Sequence, residues 1–84
     1  MEATMATLLQ ADHMLDCKGL LCPMPIVKLS KEIKQMQIGQ VLKMVATDKG
    51  APADMQAWSR QTGNELLDSH EENGQFIFFV RRIK

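Results

Sequence analysis

The pattern of hydrophobic and polar residues predicts four strands along the chain. Residues 13–17 alternate weakly with a period of two, and residues 40–47 are rich in apolar and β-branched residues, as strands are. Residues 64–72 begin apolar and become polar, which is typical of an edge strand, whereas residues 75–81 are apolar on both faces. Such a strand lies in the centre of a sheet or meets a partner. An asparagine–glycine pair at 73–74 separates the last two strands and is a strong hairpin signal.

Helical spacing of apolar residues predicts two helices, at residues 23–36 and 52–62. Prolines fall in the first turn of both helices, where a missing N–H costs no intrahelical hydrogen bond. Gly39 and Gly63 are placed to end the two helices. The predicted buried stripes consist of Ile26, Leu29, Ile33 and Met36 in the first helix and Met55, Trp58 and Thr62 in the second.

The order of these elements restricts the fold to few arrangements. A strand–helix–strand connection implies a parallel pair, and the final hairpin adds an antiparallel pair. Both helices need only one sheet face to bury their stripes. We therefore predict an α+β fold, a two-layer βαβαββ sandwich whose four-stranded mixed sheet carries both helices on one face. Leu42, Met44 and Ala46 are expected to face the helices, and the opposite face is expected to expose Val41, Lys43, Val45, Ile77 and Phe79.

Composition and charge exclude several classes of protein. The 84 residues suffice for one domain, which we place at residues 11–84 behind a flexible N-terminal tail at residues 1–10. The 10 basic and 10 acidic residues cancel, which argues against direct nucleic-acid binding. No apolar run is long enough to span a membrane. Because the N-terminus lacks the basic region of a signal peptide and 2 cysteines do not make a secreted disulfide framework, we expect a cytoplasmic protein.

Cys22 is the candidate catalytic residue because two prolines follow it at the predicted helix start. With Pro23 and Pro25 in the first turn, Cys22 is the predicted N-cap, and the N–H groups of Met24 and Ile26 face its sulfur. A thiol at a helix N-terminus has a lowered pKa, so that more of it is present as the nucleophilic thiolate. Serine, threonine, aspartate or asparagine would cap a helix better than cysteine. We therefore favour a functional role for this cysteine, with a thiol pKa below that of free cysteine.

Other residues around the motif have two interpretations each. Asp16 is expected to accept hydrogen bonds from N–H groups of the loop, which Gly19 allows to turn; the alternative is that it orients the loop or the attacking thiol. Cys17 falls on the buried strand face as an inert small hydrophobe; the alternative is a resolving thiol for the motif cysteine. Lys18 and Lys28 are solvated side chains or, alternatively, a basic rim that docks a partner and helps to hold a sulfur anion.

A metal site is not predicted. His13 and His70 could be combined with the two cysteines as zinc ligands, but four residues separate the cysteines, unlike the usual short clamp. No cofactor-binding motif is recognisable either. We expect neither a metal nor a cofactor.

Two segments of the chain match a known family pattern. The first contains Leu15-Asp16, Gly19-Leu20 and Cys22-Pro23-x-Pro25, and the second runs from Thr47-Asp48 through Ala53-Asp54 and Ala57-Trp58 to Thr62-Gly63-Asn64-Glu65-Leu66. With these motifs the chain resembles the TusA/SirA-like sulfur carrier family, also called sulfurtransferases, over residues 12–84. A cysteine-proline-x-proline quartet at a helix start, after a glycine, is fairly specific.

The resemblance implies the fold of the C-terminal domain of translation initiation factor 3 and a persulfide on Cys22. Asp16, Gly19, Pro23, Met24 and Pro25 would support that cysteine as loop and motif residues. Sulfur would come from a cysteine desulfurase or a rhodanese-like protein and leave for an acceptor protein, in tRNA thiolation or in cytoplasmic sulfur oxidation. The protein would then be a relay carrier rather than a stand-alone enzyme, and a monomer or a weak homodimer.

Two other functions stay open at this point. One is a regulatory or RNA-associated binding module of the same fold, in which the motif cysteine is structural. Neutral charge and the lack of an aromatic platform count against nucleic acid. The other is a thiol redox protein that uses Cys17 together with Cys22.

Overall fold

The computed structural model describes residues 11–84, in which the strands and helices follow one another in the predicted order. The elements are β1 (His13–Cys17), α1 (Met24–Gln35), β2 (Val41–Ala46), α2 (Ala51–Thr62), β3 (Glu65–Glu72) and β4 (Gln75–Arg81). The tail predicted at residues 1–10 lies outside the described residues. Neither α1 nor α2 is long and apolar enough to cross a membrane.

The sheet has the order β1-β2-β4-β3 and mixed strand directions. β1 is parallel to β2, and β4 is antiparallel to both of its neighbours. β4 therefore lies inside the sheet, which explains why it is apolar on both faces, and the more polar β3 is an edge. At the β3–β4 turn Asn73 has φ 51° and Gly74 has φ 80°, the two positive angles that a type I′ hairpin requires. The predicted βαβαββ sandwich is confirmed.

Both helices pack on one face of the sheet and enclose a single core. The α1 and α2 helices are joined by a hydrogen bond in which the Trp58 indole N–H donates to Ser30 Oγ at 3.3 Å. The buried core residues are Cys17, Leu29, Ile33, Met36, Leu42, Met44, Ala46, Ala51, Met55, Trp58, Phe78 and Val80. They include most of the predicted helix stripes; Ile26 and Thr62 are only half-buried.

The other sheet face carries the residues that alternation assigned to it. Val41, Lys43, Val45 and Phe79 are half-buried there, and the Lys43 ammonium lies 5.9 Å from the centre of the Phe79 ring. Ile77 is only 6% exposed, because it sits in the interior strand with neighbours on both sides. This face therefore combines apolar side chains with a cation held over an aromatic ring.

The ends of α1 differ from the prediction. Pro23 is the N-cap, so that the helix begins at Met24, and it ends at Gln35 with Met36 in an extended conformation. Gly39, with φ 96°, lies in the turn that follows and does not end the helix. Its N–H donates to the carbonyl of Arg82, in the segment after β4, at 2.8 Å. This hydrogen bond joins the turn after α1 to the C-terminal segment.

The C-terminal segment is held against the end of α2 by Asn64. This side chain is 5% exposed, and its Oδ1 accepts hydrogen bonds from the N–H groups of Ile83 at 2.8 Å and Lys84 at 3.1 Å. The Asn64 carbonyl also accepts a hydrogen bond from Ser59 Oγ at 2.6 Å. Gly63, the predicted helix stop, precedes it with φ 80°. One amide side chain thus joins α2 to the residues after β4.

Replacing Asn64 with alanine is expected to destabilise the fold by about 1–2 kcal/mol, because two backbone N–H groups lose their acceptor. Asn64→Asp keeps an oxygen at the same position and is expected to retain most of the stability. Urea unfolding of the two variants and the parent chain measures the difference. Equal losses in both variants would contradict a role for the Oδ1 acceptor.

Candidate functional site

The first two residues of the loop between β1 and α1 donate hydrogen bonds to side-chain oxygens. Asp16 Oδ1 accepts a hydrogen bond from the backbone N–H of Lys18 at 3.0 Å, the kind of loop bond expected of this aspartate. Gly19 has φ 80°, and its N–H donates to Thr47 Oγ1 at 2.9 Å. Because Thr47 directly follows β2, this bond ties the loop to the end of the neighbouring strand.

Cys22 is exposed and lies just before α1, but the prediction that it caps the helix is wrong. Pro23 occupies the N-cap, and the Cys22–Pro23 peptide bond is cis. The Met24 N–H, which was expected to face the sulfur, donates instead to the Leu21 carbonyl at 2.9 Å. Pro25 is buried in the first turn, as predicted. The helix start therefore does not use the Met24 N–H to stabilise an anion on the cysteine.

Two carboxylates lie beside the Cys22 thiol. The sulfur and one carboxylate oxygen each of Asp48 and Asp54 lie within 4.8 Å of one another. Asp48 follows β2, and its carbonyl accepts the Ala51 N–H at 3.0 Å. Asp54 is in the first turn of α2, where a carboxylate is favoured by the helix dipole. Loops after two parallel strands thus meet over one end of the sheet.

These carboxylates raise the pKa of the Cys22 thiol. Hydrogen bonding between the thiol and the Asp54 carboxylate is the largest cause, followed by desolvation and by the negative charges of Asp54 and Asp48. The prediction of a lowered pKa is wrong in direction, since a carboxylate stabilises the protonated thiol and repels the thiolate. Lys28, which was expected to help the anion on Cys22, acts on Cys17 instead, where its charge only partly offsets the burial that raises the pKa of that thiol.

Sequence reasoning missed Asp48 and Asp54 as site residues. The signal was present, since both lie in the second segment that matches the family pattern. Position along the chain also pointed to them, because one follows a strand parallel to β1 and the other opens the next helix. Residues at the carboxyl ends of neighbouring parallel strands meet at one edge of the sheet.

Cys17 lies in the core with 0% exposure. Burial raises the pKa of its thiol, and both cysteines are free. The expected burial is confirmed. A resolving thiol has to be accessible and ionisable, and the core position of Cys17 provides neither property.

The remaining candidates are spread over the surface. Lys18 and Lys28 are exposed, which suits both of their interpretations. His13 Nδ1 lies 3.1 Å from Glu32 Oε2, and His70 lies between carboxylates on the edge strand β3. The histidines and cysteines are therefore not gathered into a zinc site.

Within residues 11–84, the only group of three potential metal-binding side chains is Cys22 with Asp48 and Asp54. A thiolate and two carboxylates are ligand types that zinc accepts. The two carboxylates also raise the pKa of the thiol itself.

The chain matches a family model described as "Sulfurtransferase TusA" over residues 13–82. It is 46% identical over 71 residues to the sulfur carrier protein TusA of Allochromatium vinosum, covering 84% of this chain and 93% of the relative. A putative sulfur carrier protein of Neisseria meningitidis serogroup A is 51% identical over 67 residues, with 80% and 90% covered. The putative sulfur carrier protein YrkF of Bacillus subtilis is longer: the 45% identical region covers 89% of this chain and 40% of YrkF.

A solved structure has the same fold. The SirA-like protein from Desulfitobacterium hafniense aligns with a TM-score of 0.74, covering 86% of this chain and 99% of that structure at 16% sequence identity. The likeness at this identity concerns the fold alone. It agrees with the four-stranded sheet and two helices described above.

Asp54→Asn is expected to lower the pKa of Cys22, because the substitution removes the largest cause of its upward shift. The thiolate fraction then rises at a lower pH than in the parent chain. Alkylation rates measured against pH, with the modified cysteine located by peptide mass, report the midpoint. Glu65→Gln removes one negative charge at the other end of the sheet and serves as the control; an equal shift in both variants would contradict a local effect.

Proposed function

Because the chain belongs to the TusA sulfurtransferase family, we propose that Cys22 holds sulfane sulfur as a persulfide and passes it between two proteins. A sulfur carrier of this family requires a protein donor and a protein acceptor. The residue that carries the sulfur must therefore be reachable by the sulfur of another protein.

The contrast in exposure between the two cysteines supports Cys22 as the carrier. Cys22 is exposed in the loop before α1, whereas Cys17 is completely buried. Sulfur exchange brings two sulfur atoms of different proteins into contact. Cys22 meets this requirement without any opening of the core.

The transfer follows the ordinary course of thiolate attack. Cys22 loses its proton, and its thiolate attacks the outer sulfur of a donor persulfide. A sulfur–sulfur bond forms on Cys22, the donor's sulfur–sulfur bond breaks, and the donor cysteine leaves as a thiolate that takes up a proton. No external oxidant or reductant takes part. Delivery to the acceptor repeats the exchange with the acceptor thiolate as nucleophile.

A cysteine desulfurase or a rhodanese-like protein is the proposed donor. The acceptor belongs either to a tRNA-thiolation relay or to the oxidation of reduced sulfur compounds in the cytoplasm. This part of the proposal rests on the family alone. The burial of Cys17 speaks against the redox alternative, which would need both thiols at the surface.

Cys22→Ser is expected to abolish sulfur loading and to leave the fold intact, because the side chain is exposed. Intact mass after incubation with a sulfane-sulfur donor shows a gain of one sulfur in the parent chain and none in the variant. Cys17→Ser provides the comparison and keeps its loading. Loading of the Cys22 variant, or a loss of two hydrogens in the parent chain, would contradict the proposal.

Two surfaces are proposed to serve different contacts. The rim with Lys18 and Lys28 lies near Cys22 in the chain and would guide a donor, while the open sheet face with Phe79 would carry any weak self-association.

Lys28→Glu is expected to slow sulfur transfer most at low salt, since salt screens exposed charges.

Phe79→Ser is expected to weaken a dimer and leave transfer nearly unchanged. Sedimentation and transfer rates separate the two effects. If sedimentation finds only monomer at high protein concentration, the self-association proposal is contradicted. If the Lys28 variant transfers sulfur at the parent rate at low salt, the docking proposal is contradicted.

A further inference from the structure

The surface around Cys22 has an acidic part and an apolar part. The acidic part consists of Asp48 and Asp54, which lie with the sulfur in one group within 4.8 Å. Leu21, Met24 and Val27 form the apolar part; their exposed fractions are 71%, 45% and 38%. Exposed apolar side chains at neighbouring positions are typical of a contact surface for another protein.

The apolar part follows the sulfur-bearing loop into the helix. The Met24 N–H donates to the Leu21 carbonyl at 2.9 Å, so these two residues belong to one turn, and Val27 follows three residues later. The same spacing of three brings side chains to neighbouring positions on a helix. These side chains therefore form one apolar stretch that runs from the loop of Cys22 into α1.

The acidic part makes the Cys22 thiol of the free protein harder to ionise. The thiolate is the nucleophile, and carboxylates nearby favour the thiol over the thiolate. Asp48 acts from the loop after β2 and Asp54 from α2. On the cysteine's own loop, the Asp16 carboxylate is bound to the Lys18 N–H, and Lys28 of α1 acts on Cys17. No lysine among the described residues offsets the two aspartates at Cys22.

We infer that the protein exchanging sulfur with Cys22 presents an arginine or lysine side chain to Asp48 and Asp54 while it covers Leu21, Met24 and Val27. The incoming cation neutralises the two carboxylates, and Cys22 then releases its proton to solvent and attacks. The inference rests on the proposed function of Cys22. A partner of the right charge then meets a more reactive thiol than other reagents do.

Short peptides with one cysteine test this charge selection directly. The cysteine is flanked by arginine in one peptide and by glutamate in the other, and each is activated as its thionitrobenzoate disulfide. The Cys22 thiolate attacks the peptide sulfur, a mixed disulfide forms, and thionitrobenzoate leaves as a coloured product. EDTA keeps divalent metal ions away from the carboxylates. The measured quantity is the ratio of the rate with the arginine peptide to the rate with the glutamate peptide.

We expect this ratio to be at least about fivefold larger in the parent chain than in the double variant Asp48→Asn, Asp54→Asn at low salt. The double variant is also expected to react faster than the parent chain with iodoacetamide at neutral pH, because iodoacetamide is uncharged. Glu65→Gln, which removes one charge at the far end of the sheet, is expected to keep the parent ratio. An unchanged ratio in the double variant would overturn the inference.

A salt series on the parent chain repeats the test without any substitution. The ratio is expected to fall towards that of a small free thiol as ionic strength rises, since salt screens exposed charges. A ratio that is independent of salt would overturn the inference even if the double variant failed to fold. These rates need no persulfide, so they are distinguishable from a failure of the proposed function, which appears as absent sulfur loading on Cys22.

Discussion

The parallel pairing of β1 with β2 is the constraint on which the site depends. Cys17 at the end of β1 lies opposite Ala46 at the end of β2, so both strands deliver their loops to the same edge of the sheet. One loop carries Cys22, and the other carries Asp48. The bond from the Gly19 N–H to Thr47 Oγ1 fixes the two loops to each other. A different strand order would separate the thiol from the carboxylate.

Two opposing effects act on the Cys22 sulfur, and the carboxylates prevail. A helix start favours an anion, but here the cysteine lies outside the N-cap and the Met24 N–H is bound to the chain itself. The Asp54 carboxylate acts on the thiol at close range. Close interactions with a charged group outweigh a partial charge of the helix end, which fades within the first turn. The Cys22 thiol is therefore exposed but harder to ionise than a free cysteine.

The sheet divides the molecule into a covered face and an open face with separate uses. The covered face holds the core that makes β1 and β2 a rigid support for the loops. The open face combines Lys43 over Phe79 with half-buried apolar neighbours. The site lies at the end of the sheet, where the loops after β1 and β2 meet.

Periodicity and turn residues in the sequence determined the elements, the strand directions and the buried faces, because these depend on local spacing and on one hydrophobic layer. The motif also singled out Cys22, and strand alternation indicated the burial of Cys17. Only the tertiary structure decided that Asp48 and Asp54 lie beside the thiol and raise its pKa. The direction of that shift depends on how close Cys22 lies to residues 26 and 32 positions later in the chain. Local sequence patterns do not determine distances between residues so far apart in the chain. The position of the N-cap, shifted by one residue to Pro23, likewise depended on how the loop closes.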